Sequence, residues 1–136
     1  MRAEVVSMDA KHPDKEAIKR AGQILQNGGL VAFPTETVYG LGGNALDPRA
    51  SMKIYAAKGR PSDNPLIIHI ADMESLAQIT EDVPEKAKKL AEKFWPGPLT
   101  MIFKKSDRVP YETTGGLESV AVRMPSHQTA LALIRA

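Results

Sequence analysis

Residues 14–34, DKEAIKRAGQILQNGGLVAFP, change their hydrophobic period once, and that change decides the fold class. Ala17, Ile18, Ala21, Ile24 and Leu25 recur three or four positions apart, which predicts an amphipathic helix over about 14–26. Asn27-Gly28-Gly29 supplies its stop, because glycine accepts the left-handed backbone that ends a helix. Leu30-Val31-Ala32-Phe33 then runs apolar without alternation and is closed by Pro34, the pattern of a strand buried on both faces. A helix followed by a short apolar strand is the repeating unit of an α/β domain.

The same alternation extends outward. Asp47-Pro48 reads as a cap followed by proline at the first helical position, and Gly59 and Pro61 close a helix near 48–57. Leu66–Ile70 reads as a strand after Asn64-Pro65, and a further helix starts at Asp72. Asp82 and Glu85 are spaced as a capping box around Pro84, with Ala87, Leu90, Ala91 and Phe94 on one face of the helix that follows; Trp95-Pro96-Gly97-Pro98 ends it. Leu99–Phe103 and Ser119–Met124 are strand candidates separated by a loop containing Thr113-Thr114-Gly115-Gly116, and Ser126 is placed to cap a last helix from His127. The expectation is an α/β domain of α+β-like character, with a mixed sheet and flanking helices.

At 136 residues there is material for one core, so residues 1–136 are read as a single domain. Lys and Arg number 18 against 16 Asp and Glu, and a net charge of +2 is too small to argue for nucleic-acid binding. The absence of cysteine excludes disulfide scaffolds, thiolate catalysis and Cys-based zinc sites. Met1–Val6 lacks the apolar core of a signal peptide, and no stretch approaches the roughly 20 apolar residues of a membrane span. A cytoplasmic protein without membrane partners is expected. Ala130–Ala136 is apolar helix with neither capping glycine nor polar tail, so the domain reads as C-terminally incomplete.

Three segments could carry chemistry. Pro34-Thr35-Glu36-Thr37-Val38-Tyr39-Gly40-Leu41-Gly42-Gly43 follows a strand directly, where α/β folds place ligands; spacing alone favours an ordinary strand-to-helix connection in which threonines cap turns. Its match to G-x-G-x-x-A does not make a dinucleotide fingerprint, because strand, turn and helix are not immediately joined. Lys58-Gly59-Arg60-Pro61-Ser62-Asp63-Asn64-Pro65 holds two cations on a proline-stiffened loop, suited either to an anion or to complementing a helix C-terminus. Strand alternation sends Ile67 and His69 to the face opposite Leu66, Ile68 and Ile70, and Ser119, Ala121 and Arg123 opposite Val120, Val122 and Met124. An arginine inside Val-Ala-Val-Arg-Met needs either an internal carboxylate or an anionic ligand. Glu81-Asp82 and Lys86, Lys88 and Lys89 read as a solvated face.

Residues 34–42, 58–66 and 119–125, with Trp95–Thr100 between them, resemble in order and separation the YrdC-like family of threonylcarbamoyl-AMP synthases. The resemblance implies a twisted sheet around a concave, positively charged cavity. It implies an L-threonylcarbamoyladenylate synthase, a nucleotidyltransferase that joins L-threonine, bicarbonate and ATP into threonylcarbamoyl-AMP and pyrophosphate for tRNA modification, with a tRNA threonylcarbamoyl transferase as functional partner. Carried over by position, Thr35, Tyr39, His69 and Arg123 would hold L-threonine. Lys58, Arg60, Ser62, Asn64 and Ser119 would contact ATP, with Lys58 and Arg60 offsetting phosphate charge during catalysis. Mg2+ would arrive with the nucleotide, and no protein metal site is expected. Family members continue into a further strand and a Ser-rich region that resembles the other half of the nucleotide site. The competing readings are a paralogue that binds tRNA or double-stranded RNA without adenylate synthesis, and an inactive fragment.

Overall fold

The protein is described by a computed structural model covering residues 4–9, 12–59, 61 and 63–136. The elements in chain order are α1 (Lys15–Gln26), β1 (Val31–Phe33), β2 (Gly40–Gly42), α2 (Pro48–Lys58), β3 (Ile67–His69), α3 (Met73–Ile79), α4 (Glu85–Phe94), β4 (Thr100–Lys104), α5 (Tyr111–Thr114), β5 (Ser119–Arg123) and α6 (Gln128–Arg135). Short aspartate side chains start three of the helices by accepting otherwise unpaired first-turn amides: Asp14 from Glu16 and Ala17, Asp47 from Arg49, and Asp72 from Ser75. Gly59 ends α2 with φ +63°, the conformation its missing Cβ allows.

A three-stranded mixed sheet in the order β3-β5-β4 forms the centre, with β3 parallel and β4 antiparallel to β5. One sheet face carries Ile68, Val120, Val122, Met101 and Phe103 into the main core, which Leu76 and Ile79 of α3 and Ala91 of α4 complete. Val120 and Val122 are essentially inaccessible, and each contributes roughly 1.5–3 kcal/mol of burial. A second, smaller core joins Phe33 to Ala130 and Leu133 of α6, with Ile18, Ala21 and Leu25 of α1 packed against it.

Five expectations are corrected. The run Leu30–Phe33 is not buried on both faces: β1 pairs antiparallel with β2 in a separate two-stranded sheet, Phe33 is buried and Ala32 is exposed. A two-stranded hairpin has one packed face, so its outer side stays in solvent. Strand β2 itself falls in the glycine-rich stretch read as a loop. The capping box is not made, because Pro84 occupies the cap position of α4 and leaves Asp82 two residues before the cap; Leu90 and Phe94 are exposed. At α6 the cap is His127, whose Nδ1 accepts from the Thr129 amide at 3.1 Å, while Ser126 turns to Glu36. The Thr113–Gly116 loop also contains α5, a single turn closed by Gly115.

Candidate active site

The sheet face opposite the main core is built by strict alternation on β5, which points Ser119, Ala121 and Arg123 the same way. Pairing extends this into cross-strand rows, because Arg123 lies opposite His69 on β3 and Thr100 on β4, and Ala121 lies opposite Ile67 and Ile102. His69 and Arg123, 54 positions apart in the chain, thus become neighbours through parallel pairing.

Arg123 is 8% exposed. Its Nε donates to the Gly97 carbonyl at 3.1 Å and its Nη2 forms an ion pair with Glu36. Gly97 is fixed in turn by donating its amide to the Met124 carbonyl at 2.8 Å, and Trp95 closes the same turn by donating Nε1 to the Leu99 carbonyl at 2.8 Å. Burial pulls the Arg123 pKa below its usual value, and a guanidinium stays cationic under such conditions. Glu36 is the internal carboxylate that a buried arginine requires. Its Oε2 also accepts from the Ser126 amide at 2.8 Å, the Ser126 hydroxyl at 2.9 Å and the His127 amide at 3.1 Å. One side chain of the β1–β2 connection therefore joins the end of β5 to the start of α6, where the helix dipole favours a negative charge.

His69 faces a cavity of about 540 Å³ that Phe33, Gly42, Asn44, Ser51 and Lys58 also line. Its ring meets Phe33 edge-on with centroids 5.8 Å apart. Desolvation lowers the His69 pKa, against a smaller opposing contribution from the Ile67 backbone, so the ring is neutral at physiological pH. A neutral imidazole can accept a proton from, or a hydrogen bond of, an amine in the cavity.

The other expected residues are distributed differently. The Thr35 hydroxyl is engaged in its own turn, donating to the Val38 carbonyl at 2.6 Å and accepting from the Thr37 amide at 3.3 Å. Tyr39 stands 77% exposed on the same connection. Ser119 lies opposite Lys104 at the far end of β5, about 13 Å from Arg123 at about 3.3 Å per residue. Only an elongated ligand could reach both. Asn64 is exposed beyond Lys58, with its amide bonded to the Pro61 carbonyl at 3.2 Å; Arg60 and Ser62 lie outside the described residues.

Sequence reasoning passed over Glu36, Gly97 and Gly115 as site residues. Glu36 had a usable signal, being the sole charged residue in the stretch 34–43. Gly115 holds φ +63°, and a Cβ there would sit 2.7 Å from the Asp63 carbonyl oxygen, so a glycine is what lets the basic loop pack against α5.

A buried arginine, a neutral histidine beside it and a cavity whose rim bears a lysine are set on one α/β domain, an arrangement that could accommodate a small anionic or zwitterionic molecule. The Sua5/YciO/YrdC family model, described as telomere recombination, matches residues 23–136, and the chain belongs to that family. It is 59% identical over 117 residues to the threonylcarbamoyl-AMP synthase of Pyrococcus abyssi (strain GE5 / Orsay), covering 86% of this chain and 34% of that protein. It is 58% identical over 119 residues to the threonylcarbamoyl-AMP synthase of Bacillus subtilis (strain 168), covering 87% and 34% respectively. Among solved structures, P. abyssi Sua5 complexed with L-threonine superposes with a TM-score of 0.89 at 56% identity, over 91% of this chain and 36% of that one. The chain thus spans about a third of the length of these relatives. The fold expected from the YrdC-like resemblance is the fold observed. Among the described residues no helix is long and apolar enough to cross a membrane.

Proposed function

We propose that the chain is an L-threonylcarbamoyladenylate synthase, making threonylcarbamoyl-AMP and pyrophosphate from L-threonine, bicarbonate and ATP for tRNA modification. The observation that carries this reading is the pairing of Arg123 with His69 on the sheet face opposite the main core. It supplies a cation for the amino-acid carboxylate next to a neutral ring for its amine. The high identity to Sua5 solved with L-threonine supports the same assignment. Thr35 and Tyr39 belong to the connection bordering this face and would close over threonine, which requires the Thr35 hydroxyl to exchange its turn contacts for the ligand.

The amine of threonine adds to bicarbonate with loss of water to give a carbamate, whose oxygen attacks the α-phosphorus of ATP and expels pyrophosphate. No protein nucleophile is needed, so catalysis reduces to positioning and charge stabilisation. Lys58 and Arg60 would offset charge on the phosphates, and Ser62, Asn64 and Ser119 would position the nucleotide. The span from Arg123 to Ser119 suits a ligand as long as an aminoacyl adenylate. Mg2+ would enter with the nucleotide; among the described residues no group of three or more His, Cys, Asp or Glu side chains could hold it, and no step is assigned to it. A cytoplasmic location and a tRNA threonylcarbamoyl transferase as the consumer of the product complete the proposal.

Pyrophosphate release by the purified chain with ATP, Mg2+, L-threonine and bicarbonate tests this directly. Release that stops when either threonine or bicarbonate is omitted is the expected result. Release indifferent to threonine would reject the assignment.

A further inference from the structure

Arg123 has three nitrogens and five N–H groups to place, and the chain satisfies only one side of the fork. Nε donates to the Gly97 carbonyl and the fully buried Nη2 meets Glu36 as an ion pair, while Nη1 has no hydrogen bond or ion pair among the described residues. Glu36 is not a loose counter-ion. Its second oxygen is held by the Ser126 amide, the Ser126 hydroxyl and the His127 amide within 3.1 Å, at the start of α6. Its side chain is 23% exposed against 10% for that of Arg123, so the pair sits at the edge of the protein interior with the carboxylate anchored independently of the arginine.

We propose that Glu36 is a positioning residue: it fixes the rotation of the Arg123 guanidinium so that Nη1 alone is presented to the carboxylate of the incoming amino acid. The proposal rests on the amino-acid reading of this site given above. An unpaired arginine on an open sheet face would sample several rotamers and lose entropy on each binding event; one clamped between Gly97 and Glu36 has already lost it. The same clamp sets specificity, because a single presented nitrogen next to His69 suits an α-amino acid whose carboxylate and amine are two bonds apart. The opposite relation, in which substrate displaces Glu36 from Arg123, would leave the Glu36 Oε1 without its cation while Oε2 stays held at the head of α6.

The test compares the chain with Glu36→Gln, which keeps an acceptor for α6 but removes the charge facing Arg123. Nitrogen-15 NMR of the Arg123 Nε–H, identified by its disappearance in Arg123→Lys, reports the clamp without any ligand. Calorimetric titration and steady-state kinetics report L-threonine binding. The expected result is a sharp, slowly exchanging Nε–H in the native chain that broadens and exchanges faster in the variant. Threonine affinity should fall about ten-fold or more, the equivalent of one charge-assisted hydrogen bond, with KM rising and kcat held. An unchanged Nε–H, or threonine binding that is equal or tighter, overturns the proposal. If the native chain binds no threonine, the functional reading fails while the NMR comparison still decides the positioning. Should the glutamine variant not fold, Glu36→Asp serves instead. It keeps the charge but is one methylene too short to reach both α6 and Arg123, so the same losses are expected.

Discussion

Arg123 and His69 sit side by side on one sheet face and carry opposite electrostatic solutions to partial burial. The arginine keeps its charge because a carboxylate and a carbonyl meet it; the histidine meets an aromatic edge and, among the described residues, no carboxylate, and desolvation outweighs the Ile67 backbone contribution, so it gives its charge up. The second solution has a pH signature. The folded His69 pKa lies below the ordinary value of 6.5, so the unfolded chain binds more protons in the interval between the two. Its stability contribution is therefore complete above about pH 6.5 and declines as pH falls toward the folded pKa. Thermal unfolding followed between about pH 7.5 and pH 5 should show this decline, and His69→Gln should flatten it. A native-like slope in the variant would assign the effect to other groups.

Among the elements, α2 and α5 dock through polar groups rather than through apolar side chains. Ser51 and Thr113, each 1% exposed, share a 2.7 Å hydrogen bond, and Thr113 reaches on to the Ala45 carbonyl at 2.6 Å. Tyr55 adds a hydroxyl bond to the Glu112 carbonyl at 2.9 Å. Removing one member of such a pair strands the other, so the losses of the two single variants overlap. Thr113→Val leaves the Ser51 hydroxyl buried without this partner and should cost about 1–3 kcal/mol, whereas Ser51→Ala leaves Thr113 bonded to Ala45 and should cost about 0.5–1.5 kcal/mol. The double variant should lose less than the sum, as read by denaturant unfolding; strict additivity would mean the two hydroxyls are not coupled. The helix starts at Asp14, Asp47 and Asp72 were legible because each cap acts within three residues. The starts of α4 and α6 were not. Proline displaced one cap, and a carboxylate 90 positions away drew Ser126 from the other.

For the whole molecule, the site depends on holding three bodies in register: the hairpin, the mixed sheet, and the α2–α5 unit that carries the basic loop. Gly115 is the hinge point of the third. Replacing it with alanine puts a Cβ 2.7 Å from the Asp63 carbonyl oxygen, a backbone atom that cannot swing aside, at a φ of +63°. The left-handed conformation alone costs about 1–2 kcal/mol, and the contact adds to it. Gly115→Ala should therefore lower the denaturation midpoint and speed hydrogen exchange at the Leu66 amide, which bonds to the Thr113 carbonyl at 3.0 Å. Unchanged exchange at Leu66 would mean that the basic loop does not depend on this approach.

The sequence by itself determined what depends on near neighbours: the helix periods, the aspartate caps, the glycine stops, and the alternation that sends His69 and Arg123 away from the core. The α/β class followed, because the order of helical and strand periods is local information. Tertiary structure decided what depends on pairing. It placed β1 in a two-stranded hairpin with one wet face rather than in a fully covered sheet, and it set the parallel register that brings His69 to Arg123. It also supplied the arginine's carboxylate from a residue 87 positions earlier in the chain. Neither spacing nor composition encodes that choice. Glu36, Gly97 and the start of α6 compete for the same groups only once the sheet has assembled, and the pairing that satisfies the most buried polar atoms prevails.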